Sequence, residues 1–459
     1  MAGWETLRGL VREELRQRRE EGYDLTGMEA AFAALEHAGD AALNALYDAI
    51  LHRPKRPDFP YVEPNGLEEI RRESSGWDIA PRTLGDAELL DKLHGAWVGR
   101  AAGCALGKPV ETGYYMEGTE DAEGWRNVKA WFQGADAYPI RGYTPEHSRA
   151  EAQGLDLARY CVRSMREHIA YMESDDDIRY SVLGLLMMER HGAAWDSWDV
   201  GRLWHEKLSY GQVCTAETQA YLNFAQVKSH MHGEKPEDFR EKLDWVRTYR
   251  NPYREWIGAQ IRVDAYGYCA AGDPALAARL AWEDASFSHV KNGIYGAMFC
   301  AAMIAAAFTA GDVEEILEAG LAQVPTRSRL YEDIRFAAGL ARREKDPEAL
   351  LQGLWDRFRG MSGVHTNNNA ALCAAALLHG AGDYEKAITT AVLGGWDTDC
   401  NGATVGSVMG AFLGRGGIPE TWAAPLHDTI YADVPGFDPA AMTDCARRCL
   451  AVRRTLEKA

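Results

Sequence analysis

Two aspartates in the C-terminal part of the sequence, Asp397 and Asp399, stand immediately before a segment with helical spacing. Within that segment glycines recur every fourth residue, as Gly402, Gly406, Gly410 and Gly414. Residues four apart lie on the same face of a helix, and glycine allows a second backbone to approach that face closely. Each glycine inside a helix costs about 1 kcal/mol relative to alanine, so the pattern predicts a tight helix–helix contact. The aspartates could simply cap this helix, because negative charge complements its N-terminal dipole.

A second stretch, closer to the N-terminus, repeats this arrangement and ends at Glu111. Its glycines also recur every fourth residue, as Gly95, Gly99, Gly103 and Gly107. Two helices that each present a glycine face, and that each have carboxylates at one end, favour a shared role for those carboxylates over separate helix caps. The two stretches therefore predict a buried acidic site.

The third acidic feature is the run Asp175-Asp176-Asp177, which precedes apolar residues at helical spacing from Ile178 onward. One aspartate suffices to cap a helix, and three consecutive carboxylates repel one another unless they are solvated or bind a cation. Oxygen ligands without a His–Cys cluster favour hard cations, Mg²⁺ or Mn²⁺, over zinc. The three features together predict a metal site, with helix capping as the alternative for each one alone.

The overall charge and the cysteines restrict the class of protein. The formal net charge is −18, from 50 basic and 68 acidic residues, which disfavours binding to nucleic acid or to an anionic membrane. The nine cysteines form no CxxC pair and no zinc-type spacing, which is typical of reduced thiols in a cytoplasmic protein. No signal peptide is recognisable at the start of the sequence. The longest uncharged run, residues 292–311, predicts a central buried helix instead of a membrane span, since alanine and glycine make it weakly hydrophobic.

Proline and glycine positions divide the chain into two predicted parts. Residues 1–85 are expected to form a helical extension, with helices over 5–21 and 28–51 and a proline-rich linker at 54–64. Residues 86–459 are expected to form the main domain. Its segments with helical spacing are 89–106, 154–172, 178–190, 274–282, 293–308, 313–322, 331–343, 370–379, 384–393 and 404–413. The best strand candidate is the short segment 260–266, so the predicted fold class is all-α.

Three stretches resemble the signature blocks of the ADP-ribosylglycohydrolase superfamily, which includes ADP-ribosyl-acceptor hydrolases and dinitrogenase reductase activating glycohydrolases. They are Gly-Ala-Trp-Val-Gly-Arg-Ala-Ala-Gly-Cys-Ala-Leu-Gly-Lys-Pro-Val-Glu (95–111), Asp-Asp-Asp-Ile (175–178) and Gly-Trp-Asp-Thr-Asp-Cys-Asn-Gly-Ala (395–403). The resemblance covers residues 90–420 and leaves the first 85 residues outside it. It implies a compact orthogonal bundle of helices with a two-Mg²⁺ centre (Mn²⁺ is the alternative) that hydrolyses the glycosidic bond at C1 of a ribose.

The resemblance also implies roles for individual residues. The implied metal ligands are Glu111, Asp175, Asp176, Asp177, Asp397, Asp399 and Cys400. Among them, Glu111, Asp176 and Asp397 are the candidate catalytic residues, with Glu111 as the general base or as a metal-bridging carboxylate. In the second block Asp176-Asp177 gives the better alignment of the following helix, although Asp175-Asp176 could also be the matching pair.

Three positions depart from the family pattern. Cys104 stands where the family often has aspartate, and Asp175 stands where it usually has threonine. Cys400 replaces a threonine whose hydroxyl is a metal ligand, a loss for which Asn401 or a water could compensate. A thiol is a poor ligand for Mg²⁺, so these changes could alter the metal geometry and shift activity away from ordinary ADP-ribosyl-proteins.

Six residues are the candidate substrate-binding positions: Gly258, Gln260, His289, His365, Asn368 and Trp396. Residues 256–262 resemble the small-residue loop that borders the family's ribose and phosphate pocket, where backbone N–H groups can hold phosphate oxygens. A tight turn in that loop, a purely structural histidine and capping of the helix after residue 365 are the alternatives. Trp396 lies in the third block and could stack against a base.

The function expected from the resemblance is Mg²⁺-dependent hydrolysis of the C1 glycosidic bond of a ribosylated substrate, either ADP-ribose-like or an N-riboside. The partner is then a small molecule or an ADP-ribosylated acceptor, and the oligomeric state stays open. Two alternatives remain. One is a hydrolase of a smaller nucleoside or N-riboside metabolite, and the other is a catalytically inactive ADP-ribose-binding protein of the same fold.

Overall fold

Helices make up nearly all the regular structure of the computed structural model, which describes residues 2–77, 79–228 and 234–458. The first part contains α1 (Leu7–Glu20), α2 (Met28–Ala34), α3 (Asp40–Leu51) and α4 (Leu67–Glu73). The remainder contains α5 (Asp86–Gly107), α6 (Gly113–Met116), α7 (Gly124–Gly134), α8 (Asp176–His191), α9 (Ser197–Lys207), α10 (Thr215–Val227), α11 (Phe239–Thr248), α12 (Asp264–Cys269), α13 (Pro274–Ala285), α14 (Asn292–Ala307), α15 (Val313–Leu321), α16 (Arg329–Arg343), α17 (Pro347–Arg357), α18 (Thr366–Gly380), α19 (Tyr384–Leu393), α20 (Thr398–Leu413), α21 (Glu420–Ala423) and α22 (Met442–Leu456). Two short antiparallel strands, β1 (Thr429–Ile430) and β2 (Ala440–Ala441), complete the regular elements. The prediction of an all-α chain is confirmed.

Two sequence-based assignments are wrong. Residues 154–172, predicted as a helix, form only a short 3₁₀ turn at Val162–Ser164 within irregular backbone. Their N–H groups bond to distant segments instead: Ala158 donates to Pro109 and Arg166 to Thr144. The candidate strand at 260–266 is part of the 3₁₀ helix Ile257–Arg262 and the following α12, because tertiary packing overrides the strand preference of its Ile, Val and Tyr residues.

The long uncharged run forms α14, in which every residue is buried. Helices α13, α15, α16 and α18 pack around it. This confirms the prediction of a central buried helix. Among the described residues, no helix is both long enough and apolar enough to cross a membrane.

The first 77 residues have a small hydrophobic core of their own. Leu10, Val11 and Leu15 of α1 pack there against Leu43 and Ile50 of α3. The single helix predicted at 28–51 is divided into α2 and α3, and α3 begins after Gly39, whose backbone is extended. We call the described residues 2–77 the N-terminal segment.

The two glycine faces predicted from the sequence pack against each other. Helices α5 and α20 run antiparallel, so that the end of α5 lies beside the beginning of α20. A side-chain carbon on Gly99 would overlap the backbone carbonyl of Gly406, which shows how closely the two backbones approach. This packing brings the residues after α5 and those before α20 to the same end of the helix pair.

Candidate metal centre and active site

The start of α20 carries two of the predicted ligands. Asp397 is the N-cap residue of α20 by position, but its side chain makes no capping hydrogen bond. Its backbone N–H donates to Asn369 Oδ1 at 3.3 Å. Asp399, in the first turn, accepts from the N–H of Cys400 at 2.9 Å. Both aspartate side chains are buried. Because the Asp397 side chain makes no capping hydrogen bond, helix capping does not account for it.

The run of three aspartates lies at the start of α8. Asp175 caps this helix, because its carboxylate accepts from the N–H of Asp177 at 2.9 Å. Asp177 is completely buried, whereas Asp176 is partly exposed. Capping therefore explains one aspartate of the three, and the other two carboxylates are available for another role.

Helices α5, α8 and α20 bring these side chains together. Ligand atoms of Cys104, Asp175, Asp177 and Asp399 lie within 4.8 Å of one another, and those of Asp397, Asp399 and Cys400 form a second such group. Asp399 belongs to both groups, so the two are contiguous. We call these six residues the acidic cluster. Cys104, known from the sequence only as a departure from the family pattern, is one of its members.

Two cations contact the acidic cluster. Lys108 Nζ lies 3.1 Å from Asp175 Oδ2. Arg100, fully buried on α5, places Nη2 2.8 Å from Asp177 Oδ1 and Nη1 3.0 Å from Asp264 Oδ2. These ion pairs were not predicted, although a lone arginine within the Gly- and Ala-rich segment 95–107 was a usable signal. They anchor the start of α8 to α5.

Burial and mutual repulsion shift the pKa values of the carboxylates in this region. Burial and the charge of Asp399 raise the pKa of Asp397 well above its ordinary value. Burial and the charge of Asp175 raise the pKa of Asp399 as well. Burial and the charges of Asp175 and Asp399 raise the pKa of Asp176 to about 8. Burial acts in the same direction on Asp175, but the ammonium of Lys108 outweighs it and holds the pKa of Asp175 below its ordinary value. A positive charge within the acidic cluster would relieve this repulsion.

The donor atoms of the acidic cluster fit a hard divalent cation. Asp177 Oδ2 and Asp397 Oδ1 are buried and have no hydrogen-bond partner among the described residues. A buried anionic oxygen without a partner is costly, so a cation at this position would stabilise both carboxylates. Oxygen donors outnumber the two thiols, and oxygen is the ligand that Mg²⁺ and Mn²⁺ prefer. The acidic cluster could therefore hold a metal ion.

Glu111 lies at the edge of this region. It ends the 3₁₀ turn Lys108–Val110 that follows α5, and it is partly exposed, unlike the buried aspartates of the acidic cluster. The hydroxyl of Tyr160 donates to its Oε2 at 3.2 Å. Burial raises the pKa of Glu111 well above its ordinary value, and the charge of Asp399 contributes further. Glu111 and Asp176 are thus the carboxylates of this region that solvent can reach.

Two residues of the 256–262 loop, Gly258 and Arg262, contact the buried carboxylate of Glu217. Glu217 Oε1 lies 2.6 Å from Arg262 Nη1, and a side chain on Gly258 would overlap the Glu217 carboxylate. His289 is fully buried with Nδ1 2.8 Å from Ser288 Oγ, while its Nε2 is 3.9 Å from Glu217 Oε1. Burial, aided by the charge of Arg262, lowers the pKa of His289 well below its ordinary value, so the ring is neutral.

The polar residues at the start of α18 contact several elements. His365 caps α18, with Nδ1 accepting from the N–H of Asn367 at 3.1 Å. Asn368 donates to the carbonyl of Ser362 at 3.1 Å. Asn369, which the sequence analysis did not select, is the residue that contacts the start of α20. Asparagines occupy positions 367 to 369, and only the orientation of α18 shows that the third of them contacts α20.

Gln260 and Trp396 complete the candidate substrate residues. Gln260 is fully buried, and neither atom of its amide has a hydrogen-bond partner in the described part of the chain. Trp396 has a φ of 59°, a conformation that bulky residues rarely adopt. Its ring stacks on Trp355 with centroids 5.0 Å apart. It borders a pocket of about 480 Å³, which we call the Trp396 pocket.

Comparison with known proteins identifies the family of this chain. The ADP-ribosylglycohydrolase family model matches residues 85–457, and the chain belongs to that family. It is accordingly a glycosyl hydrolase of a metal-dependent family that acts on ADP-ribosyl-type substrates. A chain in a solved ADP-ribosylglycohydrolase-related protein complex is 20% identical, with 80% of this chain and 99% of that chain covered and a TM-score of 0.47. No curated protein matches the sequence.

Proposed function

We propose that the protein is a Mg²⁺-dependent hydrolase that cleaves the C1 glycosidic bond of an ADP-ribosylated substrate. One observation carries this proposal: in a glycohydrolase-family chain, the acidic cluster holds two buried carboxylate oxygens that have no hydrogen-bond partner in the described part of the molecule. Asp177 belongs to one ligand group and Asp397 to the other, and Asp399 belongs to both, so the two groups could hold two adjacent cations. Bound Mg²⁺ would supply positive charge that orients the ribose hydroxyls and favours deprotonation of a water.

The residues of the chain have separate tasks in this proposal. The aspartates of the acidic cluster, fixed by Arg100 and Lys108, hold the cations. Glu111 accepts the proton of the attacking water as general base, because it lies at the exposed edge and bound cations would offset the carboxylate charges that, together with burial, raise its pKa. The water oxygen forms a bond to C1 as the glycosidic bond breaks through an oxocarbenium-like state, and the leaving group takes up a proton from solvent. Asp176 is the other partly exposed carboxylate, and its proposed task is to bind substrate hydroxyls.

The remaining assignments follow from the same proposal. Gly258, Gln260, His365, Asn368 and Trp396 are proposed to line the substrate site. His289 is proposed to act indirectly, since it is fully buried. We also propose residues 1–85 as an extension and 86–459 as the catalytic domain. All nine cysteines are free, which supports a reducing compartment such as the cytoplasm.

Hydrolysis and binding can be tested together. The protein would be incubated with ADP-ribosylated substrates and, separately, with simple N-ribosides, in Mg²⁺ or in EDTA, and the products would be separated by chromatography. We expect Mg²⁺-dependent release of ADP-ribose, and loss of that activity in Asp399→Asn. Asp383→Asn is the matched control, because Asp383 caps α19 away from the acidic cluster and asparagine caps a helix equally well.

The outcomes separate the candidate functions. Turnover of N-ribosides alone would indicate the smaller-substrate alternative, which the departures at Asp175 and Cys400 in the second and third blocks favour. ADP-ribose that raises the melting temperature without turnover of any substrate would indicate a binding protein. Full activity of Asp399→Asn, or full activity in EDTA, would contradict the proposal.

A further inference from the structure

A cleft of about 650 Å³ separates α1 from residues 357–361, which are the end of α17 and the four residues after it. Its apolar lining includes Phe32 from α2, Phe358 and Met361. Five arginines and three glutamates also line it, so its formal charge is positive in a chain whose net charge is −18. A cleft with aromatic rings and surplus guanidinium groups suits a planar aromatic ligand that carries negative charge. We call it the α1 cleft.

Three of the five arginines come from a single face of α1. Arg12, Arg16 and Arg19 follow one another at spacings of four and three residues, which places them side by side. Arg12 and Arg19 have exposed side chains, 68% and 59% accessible. Arg12 pairs with the half-buried Glu13, and Arg19 pairs with the exposed Glu29. Ion pairs of solvent-exposed arginines contribute little to stability, so these arginines can exchange partners for a phosphate at low cost.

The α1 cleft and the Trp396 pocket are neighbours that share part of their lining. Arg16 and Phe358 line both spaces. Arg16 Nη2 donates to the carbonyl of Gly360 at 2.8 Å, which fixes its guanidinium where the two spaces meet. Trp396 is adjacent in sequence to Asp397 of the acidic cluster. The shared lining and Trp396 thus link the α1 cleft to the loop that leads into Asp397.

Buried contacts hold α1 in this position. Gln17 Nε2 donates to Glu255 Oε2 at 2.7 Å, and both residues are buried. Three residues further along α1, Glu20 Oε2 lies 3.4 Å from Nε2 of His365. The backbones next to these partners are joined, since Thr366 donates to the carbonyl of Glu255 at 3.1 Å. The α1 wall of the cleft is thus tied to the candidate substrate residues.

We propose that the α1 cleft binds the nucleotide diphosphate end of the substrate, with the N-terminal segment as one wall of the active site. The proposal rests on the proposed function, because it assigns the part of an ADP-ribosyl substrate that lies away from the scissile bond. The aromatic side chains contact the base, and the arginines of α1 bind the phosphates. The extension outside the family match is then a determinant of substrate specificity.

The test uses ADP as the probe and isothermal titration calorimetry of the full-length protein in EDTA, where no cation can bridge phosphates to the aspartates. We expect ADP to bind the wild type and to bind Arg12→Gln/Arg16→Gln at least about tenfold more weakly. Arg12→Gln/Arg19→Gln is a second variant that leaves the Arg16–Gly360 contact intact, and weaker ADP binding is expected there too. Arg447→Gln is the matched control, because Arg447 is an exposed arginine on α22 that pairs with Asp444.

Kinetics separate this inference from the proposed function. With an ADP-ribosylated substrate and Mg²⁺, the arginine variants are expected to raise KM and leave kcat unchanged. Wild-type ADP affinity in both double variants, or no binding of ADP to the wild type, would overturn the inference even if hydrolysis is observed. ADP binding that depends on Arg12 and Arg16 in a protein that hydrolyses nothing would support the cleft and contradict the proposed function.

Discussion

Gly103 of α5 and Gly402 of α20 are in mutual backbone contact, so that a side-chain carbon on either would overlap the carbonyl oxygen of the other. Cys104 follows Gly103 directly, and Asp399 lies one turn before Gly402. These neighbours belong to one group of ligand atoms within 4.8 Å. The absence of side chains at the glycine contact therefore determines how closely the donor atoms from the two helices approach.

Replacing Gly402 with alanine is expected to destabilise the fold and disturb the acidic cluster. The added methyl group would meet the Gly103 carbonyl, which is backbone and cannot turn away, so α5 and α20 must separate. Overpacking of this kind costs roughly 1–3 kcal/mol. Urea denaturation monitored by circular dichroism measures the loss, and weaker Mg²⁺ binding should accompany it.

Gly339→Ala is the control for that substitution. Gly339 lies within α16, and the nearest atom to an added side-chain carbon is Arg343 Nη1 at 3.3 Å, the end of a flexible side chain. Alanine there should leave stability unchanged or raise it by up to about 1 kcal/mol. Equal losses in the two variants would mean that the glycine contact has no special role.

The acidic blocks and the glycine faces were predictable because each is a local pattern. Spacing by four determines a helix face whatever the tertiary structure, so the tight packing at α5 and α20 follows from the sequence. The contacts of Arg100 with Asp177 and Asp264 have no local pattern in the sequence that would predict them. They join residues 77 or more positions apart, and only the packed structure brings these side chains together.

The failure at residues 154–172 has a similar cause. Cys161, Met165 and Met172 of this segment have no exposed surface. The backbone of the segment, however, bonds to three separate parts of the molecule, at Pro109, Thr144 and Thr429. A periodic pattern of apolar residues indicates burial, but it indicates a helix only when all the buried residues face one surface.

Replacing Cys400 with serine is expected to make the acidic cluster more selective for Mg²⁺. Cys400 shares a ligand group with Asp397 and Asp399. A thiol favours soft cations and a hydroxyl favours hard ones, so the variant should bind Mg²⁺ more tightly and Cd²⁺ more weakly than the wild type. Thermal melting with each metal gives both affinities. Cys214→Ser changes an exposed thiol and should alter neither, and an unchanged metal preference in Cys400→Ser would exclude the thiol as a ligand.

Replacing Arg254 with methionine is expected to loosen the N-terminal segment. Arg254 is buried and pairs with Glu14 at 2.9 Å and Glu21 at 2.8 Å, both of them buried. Removing the cation leaves two buried carboxylates with less compensation, and breaking a buried pair costs roughly 3–5 kcal/mol. Limited proteolysis and urea denaturation measure the effect.

Two further variants check this explanation for Arg254. Arg447→Met removes an exposed arginine and should change stability by less than about 0.5 kcal/mol. Adding Glu14→Gln and Glu21→Gln to Arg254→Met removes the uncompensated charges and should restore part of the loss. If the triple variant is no more stable than Arg254→Met alone, lost packing, and not lost charge compensation, is the cause.

Replacing Glu283 with glutamine is expected to remove one pH-dependent term from the stability. Burial and the charge of Asp196 raise the pKa of Glu283 to about 7, so the folded protein binds a proton that the unfolded chain releases near its ordinary pKa of about 4.5. Because the folded state binds more protons between these values, this group lowers stability as pH rises from about 4.5 to 7. Glutamine does not titrate, so Glu283→Gln should match the wild type at low pH and become progressively more stable than it toward pH 7 and above. Urea denaturation at several pH values measures the difference, and a difference that is constant with pH would show that Glu283 ionises normally in the folded protein.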